Sequence, residues 1–244
     1  MNFFFSFLWY TSVVSFLLCF ILSQLSGKSM KKIVLIGDSI RMGYDREVRD
    51  RLKEVADVCF PGENCRFAQY ILRYAILWKE REKWPDDVDL IHWNAGLWDT
   101  CRVLGDEPLT PLPVYRDFVV RIHRNLRILF PNAKLAFATS TPVHEAGYAI
   151  EHGNRAQRFN RDIEAYNAVA VEELAALGES IDDLYSVMAK APLSEHSDCT
   201  HFYTPAGTAR ISEAVTRFLC RELEIPVPDA QSSIVGASSN DIGL

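Results

Sequence analysis

From Lys32 onward the chain alternates short apolar runs with longer amphipathic ones, and that rhythm leaves few architectures open. The short runs are 32–37 (KIVLIG), 56–60 (ADVCF), 88–94 (VDLIHWN), 133–139 (AKLAFAT) and 180–184 (SIDDL). The first, third and fourth are almost continuously apolar, as parallel strands covered on both faces must be. Helical patterns fill 44–54, 65–80, 113–130, 156–177 and 205–223. In the fourth of these, Phe159, Ile163, Tyr166, Ala170 and Leu174 recur at three- and four-residue steps and form the core-facing stripe. Gly178 stops that helix, and Thr204-Pro205 supplies a cap and a first turn for the last one. Strand–helix alternation with right-handed crossovers predicts an α/β fold, a three-layer α/β/α sandwich. With 244 residues, 48% of them hydrophobic, the chain can build one sizeable core, and residues 30–225 read as one domain without internal repeats.

A net charge of -6 gives no basic footprint for nucleic acid. Residues 1–29 form an apolar N-terminal segment, uncharged up to Lys28 and rich in Phe, Leu, Val and Ile between Phe3 and Leu22. Two readings of it stand. It is a membrane anchor, with 3–25 the only contact with a bilayer and Lys28, Lys31 and Lys32 keeping the body on the cytoplasmic side. Alternatively, translation begins at Met30, just ahead of the first strand. A cleavable signal fits poorly, because the basic n-region and a small-x-small site are missing. Either reading predicts a cytoplasmic body, and the unpaired spacing of Cys59, Cys65, Cys101, Cys199 and Cys220 suits reduced, buried thiols. Residues 226–244, rich in Ser, Ala, Gly and Asp, read as a disordered tail.

The chemistry is carried by two short blocks. Gly37-Asp38-Ser39-Ile40 follows the first strand, so Ser39 stands at the carboxyl edge of the sheet, where open α/β folds place their sites. Its own N–H would lie at a helix N-terminus and face developing negative charge. A helix cap is the plainer role for such a serine. Asp198-Cys199-Thr200-His201 lies ahead of the last helix, and an acid and an imidazole at i and i+3 of a turn can face each other. A surface capping turn is the plainer role for that pair. No GxSxG elbow is present.

Taken together, these blocks and the Tyr203-Thr204-Pro205-Ala206-Gly207 that follows resemble the SGNH, or GDSL, hydrolase family over about residues 30–223. The resemblance implies a flavodoxin-like sandwich with a five-stranded parallel sheet. It also implies cofactor-free hydrolysis of a small-molecule ester, with Ser39 as nucleophile, His201 as general base and Asp198 orienting it. For the oxyanion hole it implies the N–H of Ser39, a glycine after strand two and an Asn side chain. Gly62 falls in the right loop, although Pro61-Gly62 is also an ordinary turn, with Asn64 as a cap for the next helix. The family's Gly-x-Asn-Asp block reads Asn94-Ala95-Gly96-Leu97-Trp98-Asp99 here, so Trp98 takes the Asn position and Asn94 is the nearby amide that can replace it.

Trp93, Trp98, Arg66, Arg102 and His144 sit at strand ends or in loops expected to ring the same edge. Trp could stack on a sugar ring and Arg could grip a carboxylate; core packing and solvated surface are their ordinary roles. Short loops without an apolar lid point to a small acyl group such as acetate on a carbohydrate or another polar alcohol. Acyl transfer shares every step up to the acyl-enzyme, so it stays open beside hydrolysis. A non-catalytic binding protein on the same fold also stays open. His196, Asp198, Cys199 and His201 could instead bind zinc, and activity lost to EDTA and restored by zinc would favour that reading. Gly27-Lys28-Ser29 is not a phosphate loop, since Leu22 replaces the first glycine and the stretch precedes a strand.

Overall fold

The computed structural model describes residues 30–228. The expected N-terminal anchor at 1–29 and nearly all of the expected tail lie outside them. Among the described residues no helix is long and apolar enough to cross a membrane.

Five strands form one sheet: β1 (Lys31–Ile36), β2 (Ala56–Cys59), β3 (Leu90–Trp93), β4 (Lys134–Ala138) and β5 (Ser180–Asp182). All neighbours are parallel, in the order β2-β1-β3-β4-β5, with Ile33 opposite Leu90 and Ile36 opposite Trp93. The helices are α1 (Ser39–Leu52), α2 (Ala68–Arg81), α3 (Leu112–Leu129), α4 (Glu145–Glu151), α5 (Asn160–Ala176), α6 (Leu184–Met188) and α7 (Pro205–Leu223). The predicted sandwich is therefore present.

The period-2 geometry of β1 divides its side chains between two cores. Ile33 and Leu35 join Tyr44, Val48, Ile211, Val215 and Leu219 beneath α1 and α7. Val34 and Ile36 join Ile71, Trp78, Tyr115, Val119, Tyr166 and Leu174 beneath α2, α3 and α5. In α5 the buried stripe is Ile163, Tyr166, Ala170 and Leu174, while Phe159 is the N-cap residue. Thr204 caps α7 by accepting the Gly207 N–H at 3.1 Å, as the sequence predicts.

Several elements differ from expectation. Helix α1 starts at Ser39 rather than 44, because Asp38 accepts the Ile40 N–H at 2.9 Å and caps it. Helix α2 is not capped by Asn64, whose Oδ1 accepts from the Arg66 N–H at 2.8 Å. Its Ala68 N–H instead donates to the carboxylate of Asp99 at 3.0 and 3.2 Å, across 31 positions of sequence. The short helix α4 interrupts a stretch expected to be loop, and α6 begins where β5 was expected to continue, capped by Asp183.

Since β2 and β3 lie on opposite sides of β1, the chain leaves β1 and β3 toward different halves of the sheet. The crevice at their carboxyl ends is the switch point at which such folds bind ligands.

Candidate active site

Ser39 stands at that crevice. Strand β1 ends at Ile36, Gly37-Asp38 makes the turn, and Ser39 is the first residue of α1, so its N–H has no intrahelical partner. Its Oγ lies 2.8 Å from Nε2 of His201, and His201 Nδ1 lies 2.8 Å from Oδ2 of Asp198. The other carboxylate oxygen of Asp198 accepts the N–H groups of Thr200 at 2.7 Å and His201 at 2.8 Å. Burial opposes ionisation of Asp198, but the His201 hydrogen bond and these two backbone donors outweigh it. They hold its carboxyl well below the usual carboxylate range. The resulting line of hydrogen bonds can draw a proton from the serine hydroxyl.

Tyr203, part of the block after His201 but given no role from the sequence, braces this line. Its ring stacks on His201 at 4.6 Å, and its hydroxyl donates to the Ser39 carbonyl at 2.6 Å. The ring lies where a Cβ at position 43 would stand, 2.4 Å away, so Gly43 is a condition of this arrangement. The signal was a helix-breaking residue inside an otherwise helical run.

Beneath the turn, Asn94 follows β3 and is 5% exposed. Its Oδ1 would stand 1.9 Å from a Cβ on Gly37, so a residue with a side chain cannot replace that glycine without displacing the amide. Asp38 is fully buried beside it, and burial raises its pKa despite the Ile40 N–H and the charges of His201 and Arg158. Among the described residues, neither Asp38 Oδ2 nor Asn94 Oδ1 has a hydrogen-bond partner. Gly62 is exposed in the β2–α2 loop. That loop is tied to the serine turn by the buried guanidinium of Arg41, which pairs with Asp45 and donates to the carbonyls of Gly37 and, at 3.1 Å, Pro61. The Cys65 N–H closes the same junction on Gly37 O at 3.1 Å.

The expected ring of substrate contacts is only partly assembled. Trp98 is half-buried, with the Arg158 guanidinium 6.0 Å above its ring. Arg66 is exposed, in a left-handed conformation (φ 52°) over the ring of Tyr70. His144 holds the far loop by its main chain, its N–H donating to Cys199 O at 2.8 Å, while its imidazole faces His196. Two expectations need correction. Trp93 belongs to the core, fully buried, with its indole N–H on Glu179 at 2.8 Å. Arg102 is engaged by Asp162 at 2.8 Å and by Glu107, so its guanidinium is already paired within the fold.

The zinc grouping expected as a rival is also divided. His201 directs both ring nitrogens to Ser39 and Asp198. Cys199 faces the other way, toward Glu151 and His152, with the three potential ligand atoms within 4.8 Å of one another.

No protein-family model matches the chain, and no curated protein matches it significantly. Solved structures do. A lipase/acylhydrolase from Enterococcus faecalis superposes with a TM-score of 0.60 at 22% identity, covering 82% of this chain and 100% of its own. A GDSL-like lipase from Bacteroides thetaiotaomicron gives 0.56 at 16% identity, covering 78% of this chain and 88% of its own. An acetyl xylan esterase gives 0.58 at 16% identity, covering 77% of this chain and 99% of its own. The five-stranded parallel sheet with its flanking helices thus has the fold of the SGNH/GDSL hydrolases.

Proposed function

We propose that the chain is a serine ester hydrolase that removes a short acyl group, acetyl above all, from a carbohydrate or another polar alcohol. One observation carries the reading: Ser39 Oγ, the His201 imidazole and the Asp198 carboxylate form a continuous line with both links at 2.8 Å. In this scheme His201 takes the Ser39 proton as Oγ attacks the ester carbonyl. The Ser39 N–H receives the developing oxyanion at the positive end of α1, with the Gly62 N–H and the Asn94 amide as the further donors. His201 then protonates the leaving alcohol, leaving an acyl group on Ser39. Water, deprotonated by His201, releases the acid and restores the serine. No step calls for a cofactor. The fold shared with lipolytic enzymes and with an acetyl xylan esterase supports the class and the choice of a small acyl group.

The test combines a substrate series with covalent labelling. The protein should hydrolyse p-nitrophenyl acetate faster than longer-chain esters, and a fluorophosphonate should label Ser39 by mass spectrometry. Ser39→Ala with full activity would sink the proposal.

A further inference from the structure

Arg158 is a cation of this neighbourhood that the scheme above leaves without work. It is half-buried and, among the described residues, enters no ion pair. Its Nε donates to the Leu97 carbonyl at 2.6 Å, on the loop that runs from Asn94 to Trp98. Its Nη1 donates to the Tyr148 hydroxyl, which in turn bonds the Thr200 hydroxyl between Asp198 and His201. The guanidinium therefore bridges the loop bearing the candidate oxyanion amide and the loop bearing the base. The rings of Trp98 and Tyr148 lie 6.0 and 5.6 Å from it.

Both of its hydrogen-bonding partners are neutral. A partly desolvated charge held only by neutral acceptors is costly, and proteins ordinarily compensate it with a counter-ion. Other arginines here follow that rule: Arg41 has Asp45, Arg102 has Asp162, and Arg210 has Glu195. Arg127, also half-buried and outside an ion pair, sits in the last turn of α3, where the helix dipole supplies the negative end. Arg158 has neither compensation. Asp38 feels its charge but makes no ion pair with it, being capped onto α1 under the turn. The Arg158 Nη2 has no hydrogen-bond partner among the described residues.

We infer that Arg158 is the anchor for a carboxylate on the substrate, so that the enzyme acts on esters carrying a negative charge near the scissile bond. A planar guanidinium with a donor edge free matches a carboxylate in two-point fashion, and flanking aromatic faces exclude water from the contact. The inference rests on the esterase reading and narrows its substrate class. The carboxylate belongs to the acyl part or to the alcohol, and matched ester pairs separate the two. On the acyl side, p-nitrophenyl hemisuccinate is compared with its methyl ester. On the alcohol side, an O-acetylated uronic acid is compared with its methyl ester.

In one arm the charged ester should have the higher kcat/KM by about tenfold or more at low ionic strength, a ratio that falls as salt is added. Arg158→Gln should bring the ratio to about one, and Arg158→Glu should invert it. Because each ratio is taken within one sample, loss of folded protein cancels. Should both variants fail to fold, Arg158→Lys, which keeps the charge but loses the fork, must retain only part of the preference. A wild-type ratio near one in both arms, or a preference unchanged in Arg158→Gln, overturns the inference. Fluorophosphonate labelling of Ser39 and hydrolysis of the neutral esters would still stand in that case, so its failure is distinct from failure of the esterase reading.

Discussion

At residue 198, two backbone N–H groups decide which atom can face the imidazole. Thr200 and His201 both donate to Oδ1, so that position must be an acceptor, and Oδ2 alone is left for His201 Nδ1. In Asp198→Asn the oxygen would stay on the backbone donors and the amide NH2 would be turned toward Nδ1. The imidazole would then accept at Nδ1 and carry its proton on Nε2, where it cannot take one from Ser39. The expected loss in kcat for p-nitrophenyl acetate is about 10⁴-fold, the effect of a wrong tautomer in serine triads. A loss under about tenfold would remove Asp198 from the scheme. This pair was legible in the sequence because both partners sit within four residues of one turn. Arg158 and Tyr203 were not legible, because their roles depend on contacts made across 61 and 164 positions.

Among the elements, strands were easier to read than helix ends. Strands β1, β3 and β4 are short, largely apolar runs that declare themselves locally, whereas a helix end depends on whichever group reaches its free N–H. Gly43, roughly 1 kcal/mol worse than Ala in a helix, broke the pattern of α1 at the point where Tyr203 needs room. The start of α2 was hidden for a different reason, since its cap is the distant carboxylate of Asp99. Burial pushes that carboxyl up from 3.8 to about 6. A raised acid binds its proton more tightly in the folded chain than in the unfolded one, so it stabilises the fold at low pH. That contribution is lost as pH rises between about 4 and 6, a span worth up to about 3 kcal/mol. Asp99→Asn keeps an acceptor for Ala68 and abolishes the titration. Unfolding in urea at pH 4, 6 and 8 should show the wild type losing stability relative to Asp99→Asn across the lower interval and staying level above it. A difference independent of pH would mean that Asp99 does not titrate there.

On the scale of the whole molecule, the site is only as firm as the sheet that carries it, and β5 is its weakest member, an edge strand of three residues. Two buried polar contacts compensate by joining β3 to the β5 region, one on each face. On the α1/α7 side His92 Nε2 meets Asp182 Oδ2 at 2.9 Å, between Tyr44 and Phe218. On the other side Glu179, just before β5, accepts the Trp93 indole at 2.8 Å and meets His123 Nδ1 of α3 at 2.6 Å. Glu179 thus ties β3, α3 and the entrance to β5 into one unit, and the chain beyond β5 leads through α6 to the Asp198–His201 loop. Glu179→Ala would strand the buried indole N–H and the imidazole, at a cost of about 3 kcal/mol. For a domain of this size that corresponds to a fall in Tm of about 6–12 °C. Since Glu179 touches none of the candidate site residues, kcat for p-nitrophenyl acetate well below the new Tm should stay within about twofold of wild type. A fall in Tm of under about 2 °C would show that Glu179 contributes little to holding β5, leaving that task to the His92–Asp182 contact, the apolar packing and the ladder to β4.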